Sequence, residues 1–262
     1  DINLDIRTDF GTAVGEDVDL IGTTDGDESD ITITMDGGGD LNVIRAETNF
    51  DDKDDTDDGF INISVDKGDL IANEVIARGT ANITLSTTDV GVTGILGEIG
   101  LGTVTAAGDL VTLTAAGAIY DANGPNVNVT ASTLNVVSAN SVGAVDNAVN
   151  TDVSTLTVGT ITNDAVFSEA DAVDLKGVQA ADQFSLTADG TIAVIDDIVG
   201  TNDVELIATG DGSNISAAAA RLLFANNSVS LNAETDIAVA GEILAPTLYG
   251  IAGNDIDLGI AT

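Results

Sequence analysis

Short stretches in which an apolar, usually β-branched residue alternates with a small polar one recur along the whole chain. Ile31-Thr-Ile-Thr-Met35, Ile61-Asn-Ile-Ser-Val65, Val111-Thr-Leu-Thr114, Val127-Asn-Val-Thr130, Phe184-Ser-Leu-Thr187 and Val229-Ser-Leu231 are examples. Alternation with period two puts one set of side chains on one face, so each stretch predicts a strand. Almost all are followed by Gly, Asp or Asn, the residues that turn a chain. One segment departs from the pattern: Ser216-Ala-Ala-Ala-Ala-Arg-Leu-Leu-Phe-Ala225 places helix formers behind a Ser in the capping position. With strand-like Val229–Asn232 following, it reads as a coil whose small residues line a tight corner, with a helical turn as the alternative.

Spacing separates the all-β architectures. Val153 to Val173 and Phe184 to Val204 are steps of 20 residues, Val204 to Val229 is 25 and Val229 to Ile256 is 27. Such steps predict an all-β chain wound as a parallel β-solenoid with irregular coils of roughly 20 to 27 residues, strands stacked and loops varying in length. Roughly 10 to 12 coils at the ~4.8 Å strand spacing would span about 50 to 60 Å. Immunoglobulin-like sandwiches are the competitor, but they use a buried Trp or Tyr corner. This chain has no Trp and only Tyr120 and Tyr249. A narrow solenoid core of Val, Ile, Leu and Ala dispenses with large rings.

Composition then excludes several chemistries. The 262 residues carry 44 Asp and Glu against 7 Lys and Arg, for a net charge of −37, with neither Cys nor His. Thiol chemistry, His-based triads and His/Cys zinc sites are absent. Dense negative charge repels phosphate backbones and anionic lipids, so nucleic acid is not an expected partner, and no run of about 20 apolar residues predicts membrane insertion. With 44% hydrophobic residues the chain is too apolar to be disordered. The charge is concentrated in residues 1–70, whereas 90–150 are nearly neutral; the expectation is one domain over 1–262 with a more acidic, loop-rich first third. Both ends are strand-like, which reads as a processed protein or part of a longer one.

The stretch Leu113-Thr-Ala-Ala-Gly-Ala-Ile-Tyr-Asp-Ala-Asn-Gly-Pro-Asn-Val-Asn-Val-Thr130, continuing through Leu134-Asn-Val136 to Leu156, resembles the repeats of filamentous-haemagglutinin-type bacterial surface proteins: Gly-x-Ile, an Asp-x-Asn-Gly turn, a strand, then Leu-x-Leu and a Gly. The pattern returns at Leu186-Thr-Ala-Asp-Gly-Thr-Ile192 and Leu231-Asn-Ala-Glu-Thr-Asp-Ile237. The resemblance covers the second two thirds of the chain. It implies a right-handed parallel β-helix, exported and used as a stalk, filament or adhesin.

Candidate chemistry lies in the acidic turns. Asp51-Asp52-Lys53-Asp54-Asp55-Thr56-Asp57-Asp58-Gly59 places oxygens two residues apart before a Gly, as the start of a calcium loop does. No bidentate Glu follows at the EF-hand position, and Thr56 stands where a carboxylate or amide is usual. Asp25-Gly-Asp27-Glu-Ser-Asp30 and Asp36-Gly-Gly-Gly-Asp40 are two further acidic turns. Close carboxylates repel one another by about 1 kcal/mol per pair in water, which a cation would relieve; a solvated acidic loop is the competing reading of all three. Calcium is therefore the expected ligand of Asp25, Asp27, Asp30, Asp36, Asp40, Asp51, Asp52, Asp54, Asp55, Thr56, Asp57 and Asp58.

No catalytic set is evident. Arg78, Lys176 and Arg221 stand isolated in sequence, and Asp196 and Asp197, adjacent on a strand, would point to opposite faces unless a turn intervenes. The Asn-x-Ser/Thr triplets at Asn62, Asn82, Asn128, Asn214 and Asn226 fall at strand spacing. Together these features predict a non-enzymatic, extracellular bacterial cell-surface protein: a stalk or filament subunit associating end to end, with a host or matrix glycan or protein as adhesive partner. The alternative is a calcium-dependent surface-layer or carbohydrate-binding module, with a polysaccharide-degrading β-helix enzyme behind it.

Overall fold

A computed structural model describes residues 2–7, 18–23, 30–36, 39–48, 59–88, 96–180 and 182–259. None of them is helical, and their strands stack in parallel as a β-solenoid of about ten turns. Two compact units are distinguished, residues 1–140 and 141–262.

The first unit contains β1 (Ile2–Arg7), β2 (Val18–Thr23), β3 (Ile31–Asp36), β4 (Leu41–Glu47), β5 (Ile61–Asp66), β6 (Leu70–Ile76), β7 (Ile83–Thr88), β8 (Ile99–Thr114), β9 (Ala118–Asp121) and β10 (Val129–Ala139). One face is the series β1, β3, β5, β7, the end of β8 and β10, in which Ile31, Ile61, Ile83, Val111 and Leu134 lie in register. The series β2, β4, β6 and the start of β8 builds the rest of each coil. These strands bend: β4 buries Leu41 and Val43, presents Ile44 and Arg45 outward, and buries Ala46 again. Two successive outward residues break the period of two and turn the chain onto a third face without ending the strand. β6 does the same at Asn73-Glu74.

The second unit contains β11 (Ser141–Val142), β12 (Val149–Ile161), β13 (Ala165–Glu169), β14 (Val173–Ala180), β15 (Gln183–Ala188), β16 (Ile192–Val194), β17 (Ile198–Gly200), β18 (Asp203–Ala208), β19 (Ile215–Ala217), β20 (Leu222–Ala225), β21 (Ser228–Ala233), β22 (Ile237–Val239), β23 (Glu242–Leu244), β24 (Thr247–Ala252) and β25 (Ile256–Leu258). Its three faces run β13-β15-β18-β21-β24, β14-β16-β19-β22-β25 and β14-β17-β20-β23. Ile192, Ile215, Ile237 and Ile256 form one apolar column; Val204, Val229 and Leu248 continue Phe184 in another. Ala165 is in register with Phe184, and the ring of Phe167, two residues further along, has its centroid 6.4 Å from that of Phe184 at 48°.

Register refines the expected periods. Steps reach 30 residues in the first unit (Ile31 to Ile61) and range in the second from 18 (Val149 to Phe167) to 25 (Val204 to Val229). The step from Val229 to Ile256 is not one coil: Ile256 pairs with Ile237 on the neighbouring face. Both faces open with an apolar residue after a polar turn, so alternation alone does not tell them apart. The alanine-rich segment folds as a corner, with Ile215–Ala217 and Leu222–Ala225 as strands and Ala220 at φ 65° between them.

Candidate functional site

A column of acids runs up one corner of the first unit. Asp40, Asp69 and Glu98 each sit immediately before the first buried residue of their coil, Leu41, Leu70 and Ile99. Asp40 Oδ1 accepts the N–H of Asp69 at 2.9 Å, and Asp69 Oδ1 accepts that of Glu98 at 2.8 Å. Backbone bonds run the other way, from Leu41 N to Asp69 O at 2.8 Å and from Leu70 N to Glu98 O at 2.9 Å. A chain leaving a turn has an N–H that the sheet ladder does not yet satisfy; a short side-chain oxygen from the neighbouring coil supplies the acceptor. The same device recurs from Asp30 Oδ1 to Phe60 N (3.0 Å), and in the second unit from Asn214 Oδ1 to Asp236 N and Asp236 Oδ1 to Asp255 N (both 3.1 Å). Part of the chain's excess of Asp and Asn therefore completes the backbone ladder at corners.

Stacking acids in this way has an electrostatic cost. Burial, then the charge of Asp40, raises the Asp69 carboxyl above its ordinary range, against the lowering effect of its bond from Glu98 N. Burial, then Asp69, raises Glu98. Tyr120 is in register with Gly100, where an added Cβ would meet its hydroxyl at 2.7 Å; burial and the three acids raise its phenol too. Beneath the acids lies a glycine column: a Cβ on Gly68 would stand 1.7 Å from the carbonyl oxygen of Gly39. That contact is the physical reason for the Gly-x-Leu and Gly-x-Ile spelling.

Two glutamates are buried. Glu47, at 0% exposure, receives Arg45 Nε at 2.9 Å and Arg78 Nε at 2.7 Å. Glu169, at 2%, accepts the Thr151 hydroxyl at 2.7 Å on Oε2 and the N–H groups of Val153 (3.0 Å) and Ala170 (3.1 Å) on Oε1. Burial raises its carboxyl, opposed by those three bonds and reinforced by Asp171. Exposed Asp152 and Asp171 each bring a carboxylate oxygen within 4.8 Å of Glu169, giving three acids able to share one hard cation.

Of the residues expected to bind calcium, Asp25, Asp27, Asp51, Asp52, Asp54, Asp55, Thr56, Asp57 and Asp58 lie outside the described residues. Asp30 and Asp40 are the ladder acceptors of two different strands, preceding β3 and β4, and Asp36 is exposed at the end of β3. The sequence reading missed Glu169, although Phe167-Ser-Glu169 in alternation places its side chain inward; it also missed Glu47, which is buried with Arg45 and, from the next coil, Arg78 as its partners.

Two of the cations that look isolated in sequence are paired. Arg78 binds Glu47, and Arg221 Nη1 is 3.1 Å from Asp196 Oδ1. Asp196 and Asp197 occupy the turn between β16 and β17, so both line one groove of about 430 Å³ with Thr157 and Gln179 instead of facing apart. Asp197 Oδ1 accepts Leu222 N at 3.0 Å. The Asp121-Ala-Asn-Gly124 turn is closed by Asp121 Oδ1, which accepts Asn123 N (2.8 Å), Gly124 N (3.1 Å) and Asn128 Nδ2 (2.7 Å). Asn128, wholly buried in that network, is no glycan acceptor.

The coil of β23, β24 and β25 exposes apolar side chains. Leu248, in register with fully buried Val229, is 40% exposed, and Ile256, above Ile237, is 46% exposed. Leu244, Tyr249 and Ile251 are exposed on the same coil. Among the described residues, β23, β24 and β25 pair along one edge only.

No helix among the described residues is long and apolar enough to cross a membrane. Comparison of the chain with family models, with curated proteins and with solved structures finds no match. The stacked parallel coils are those of a β-helix repeat protein.

Proposed function

We propose that this chain is a secreted bacterial cell-surface structural protein, a β-solenoid stalk or filament subunit that extends by end-to-end stacking, with an adhesive or matrix role assisted by calcium. The observation that carries the reading is the stacking of the coils themselves, in which apolar columns such as Ile192, Ile215 and Ile237 are built by adding one parallel coil to the next. Free edges above an apolar column favour one more coil in parallel register. The occupant is a coil of a second copy. Two chains of charge −37 repel at contact, so a divalent cation or high salt promotes the junction. The Asp152, Glu169 and Asp171 cluster supports the calcium part of the reading and equally favours the alternative, a calcium-dependent surface-layer or carbohydrate-binding module.

Negative-stain electron microscopy in millimolar calcium and in chelator tests the proposal. Long fibres of constant width are expected in calcium, shortened or lost in chelator. Separate short particles in both conditions would overturn assembly and leave the binding-module reading.

A further inference from the structure

We infer that the outward face of β3, β5, β7 and the end of β8 in the first unit binds crystalline water, an ice surface met by two columns of small uncharged side chains. Register sets Thr32, Asn62, Thr84 and Thr112 in one column and Thr34, Ser64, Ser86 and Thr114 in the next. The pairing of these four strands has no register shift, and Asn135 of β10 continues the first column before the register breaks at Ser138. Along the chain the steps are 30, 22 and 28 residues, so the order exists only in the fold. Stacked strands put neighbours ~4.8 Å apart along a column, and alternate residues of one strand stand ~6.6 Å apart across it. Hexagonal ice repeats its oxygen rows at comparable spacings.

All eight side chains reach solvent: Thr34 is exposed and the other seven are half-buried. Among the described residues none of the eight makes a side-chain hydrogen bond, so their donors and acceptors are open to a ligand. A hydroxyl or a carboxamide both donates and accepts, and so meets a water of either orientation. Thr is stiff at χ1, which holds Thr32, Thr34, Thr84, Thr112 and Thr114 in place with little entropy left to lose. The chain has 44 acids, yet none stands in either column; Asp36 and Asp66, two residues beyond Thr34 and Ser64, lie on the rim. A charged side chain would keep a shell of liquid water over the face. Each contact is weak, but a crystal repeats its sites, so one row once seated brings the next within reach. Other occupants fit less well. No aromatic ring stands in the columns to stack against a sugar, and side chains this small and polar bury too little apolar surface to hold a second copy. The inference goes beyond the assembly reading, because no residue of this face belongs to the coil of β23, β24 and β25.

Nanolitre osmometry with microscopy of single ice crystals tests it. The natural chain is expected to hold the freezing point below the melting point and to facet the crystals. Thr84→Lys, between Asn62 and Thr112 on the outward side, is expected to keep the unfolding transition and to lose both effects. Ser86→Lys, in the second column, is the further variant, should Thr84→Lys not fold, and is expected to behave in the same way. Asn232→Lys, on an exposed position of the second unit, should leave both effects intact. Neither effect in the natural chain, both retained in folded Thr84→Lys, or both lost equally in Asn232→Lys would overturn the site. Adsorption to powdered cellulose, or dimerisation in sedimentation, abolished by Thr84→Lys and with no effect on ice, would assign the face to a polysaccharide or a second copy instead.

Discussion

Asp69 Oδ1 accepts the N–H of Glu98 one coil further on at 2.8 Å, while Asp69's own N–H is received by Asp40 Oδ1 at 2.9 Å, so a single acid is both rung and support in a stacked column. The bonds favour these side chains where they are; the charges on them do not. Asn, which has the same carbonyl geometry and no charge, would do the first without the second.

Asp69→Asn is therefore expected to raise the urea midpoint of the first unit at pH 7. The carboxyls of Asp69 and Glu98 are raised in the folded chain. An acid with a raised folded value stabilises the fold when protonated, fully below the ordinary carboxylate range near pH ~4 and no longer once pH has risen through the folded value. The advantage of the variant should accordingly shrink as pH is lowered towards that range. Asp69→Ala leaves the Glu98 N–H without its acceptor and is expected to cost about 1 kcal/mol.

Gly68→Ala is expected to destabilise the same unit by about 3 kcal/mol or more, measured by denaturant unfolding. The new Cβ would stand 1.7 Å from the Gly39 carbonyl oxygen, which is backbone and cannot swing aside. Gly124→Ala places its Cβ in open space, and its cost comes from φ 72° alone. It should be milder, about 1 kcal/mol.

Calcium is expected to raise the melting temperature of the second unit by a few degrees through the Asp152, Glu169 and Asp171 cluster. The double variant Asp152→Asn, Asp171→Asn should lose that increment while keeping the fold, because both side chains are exposed. An equal calcium effect in the double variant would place the ion elsewhere. Glu169→Leu strands the Thr151 hydroxyl and the N–H groups of Val153 and Ala170 and is expected to cost about 2 to 4 kcal/mol with or without calcium. Calorimetry in calcium and in chelator reads all three.

Much of the solenoid is legible in the alternation, because the register pairs like with like: Ile31, Ile61 and Ile83, or Leu186, Leu206 and Leu231. What alternation does not encode is the corner. At Ile44-Arg45 two successive residues face outward within one strand, and from there the inward set shifts by one, to Ala46 and Thr48, while Glu47 is buried with Arg45 and Arg78 as its partners. The same ambiguity made Val229 and Ile256 look like successive coils. The acidic turns were legible as clusters but not as to role, since Asp30 and Asp40 lie beside acids in sequence yet are fixed by N–H groups 30 and 29 residues away.

The coil of β23, β24 and β25 gives the last prediction. Leu248→Asp and Ile256→Asp replace half-exposed side chains at the end of two core columns, above fully buried Val229 and nearly buried Ile237. Because each is already 40% exposed or more, the cost to the unit itself should be about 1 kcal/mol, smaller than for a buried column residue such as Leu231. At a junction the same substitutions would bury unpaired carboxylates against apolar columns, which is far more expensive. Both variants should therefore keep the unfolding transition of the natural chain and remain unassembled in millimolar calcium, as sedimentation velocity and electron microscopy would report. Fibres formed as readily by the double variant would mean that the coils join elsewhere; loss of the unfolding transition would mean that Leu248 and Ile256 support the coil more than their exposure implies.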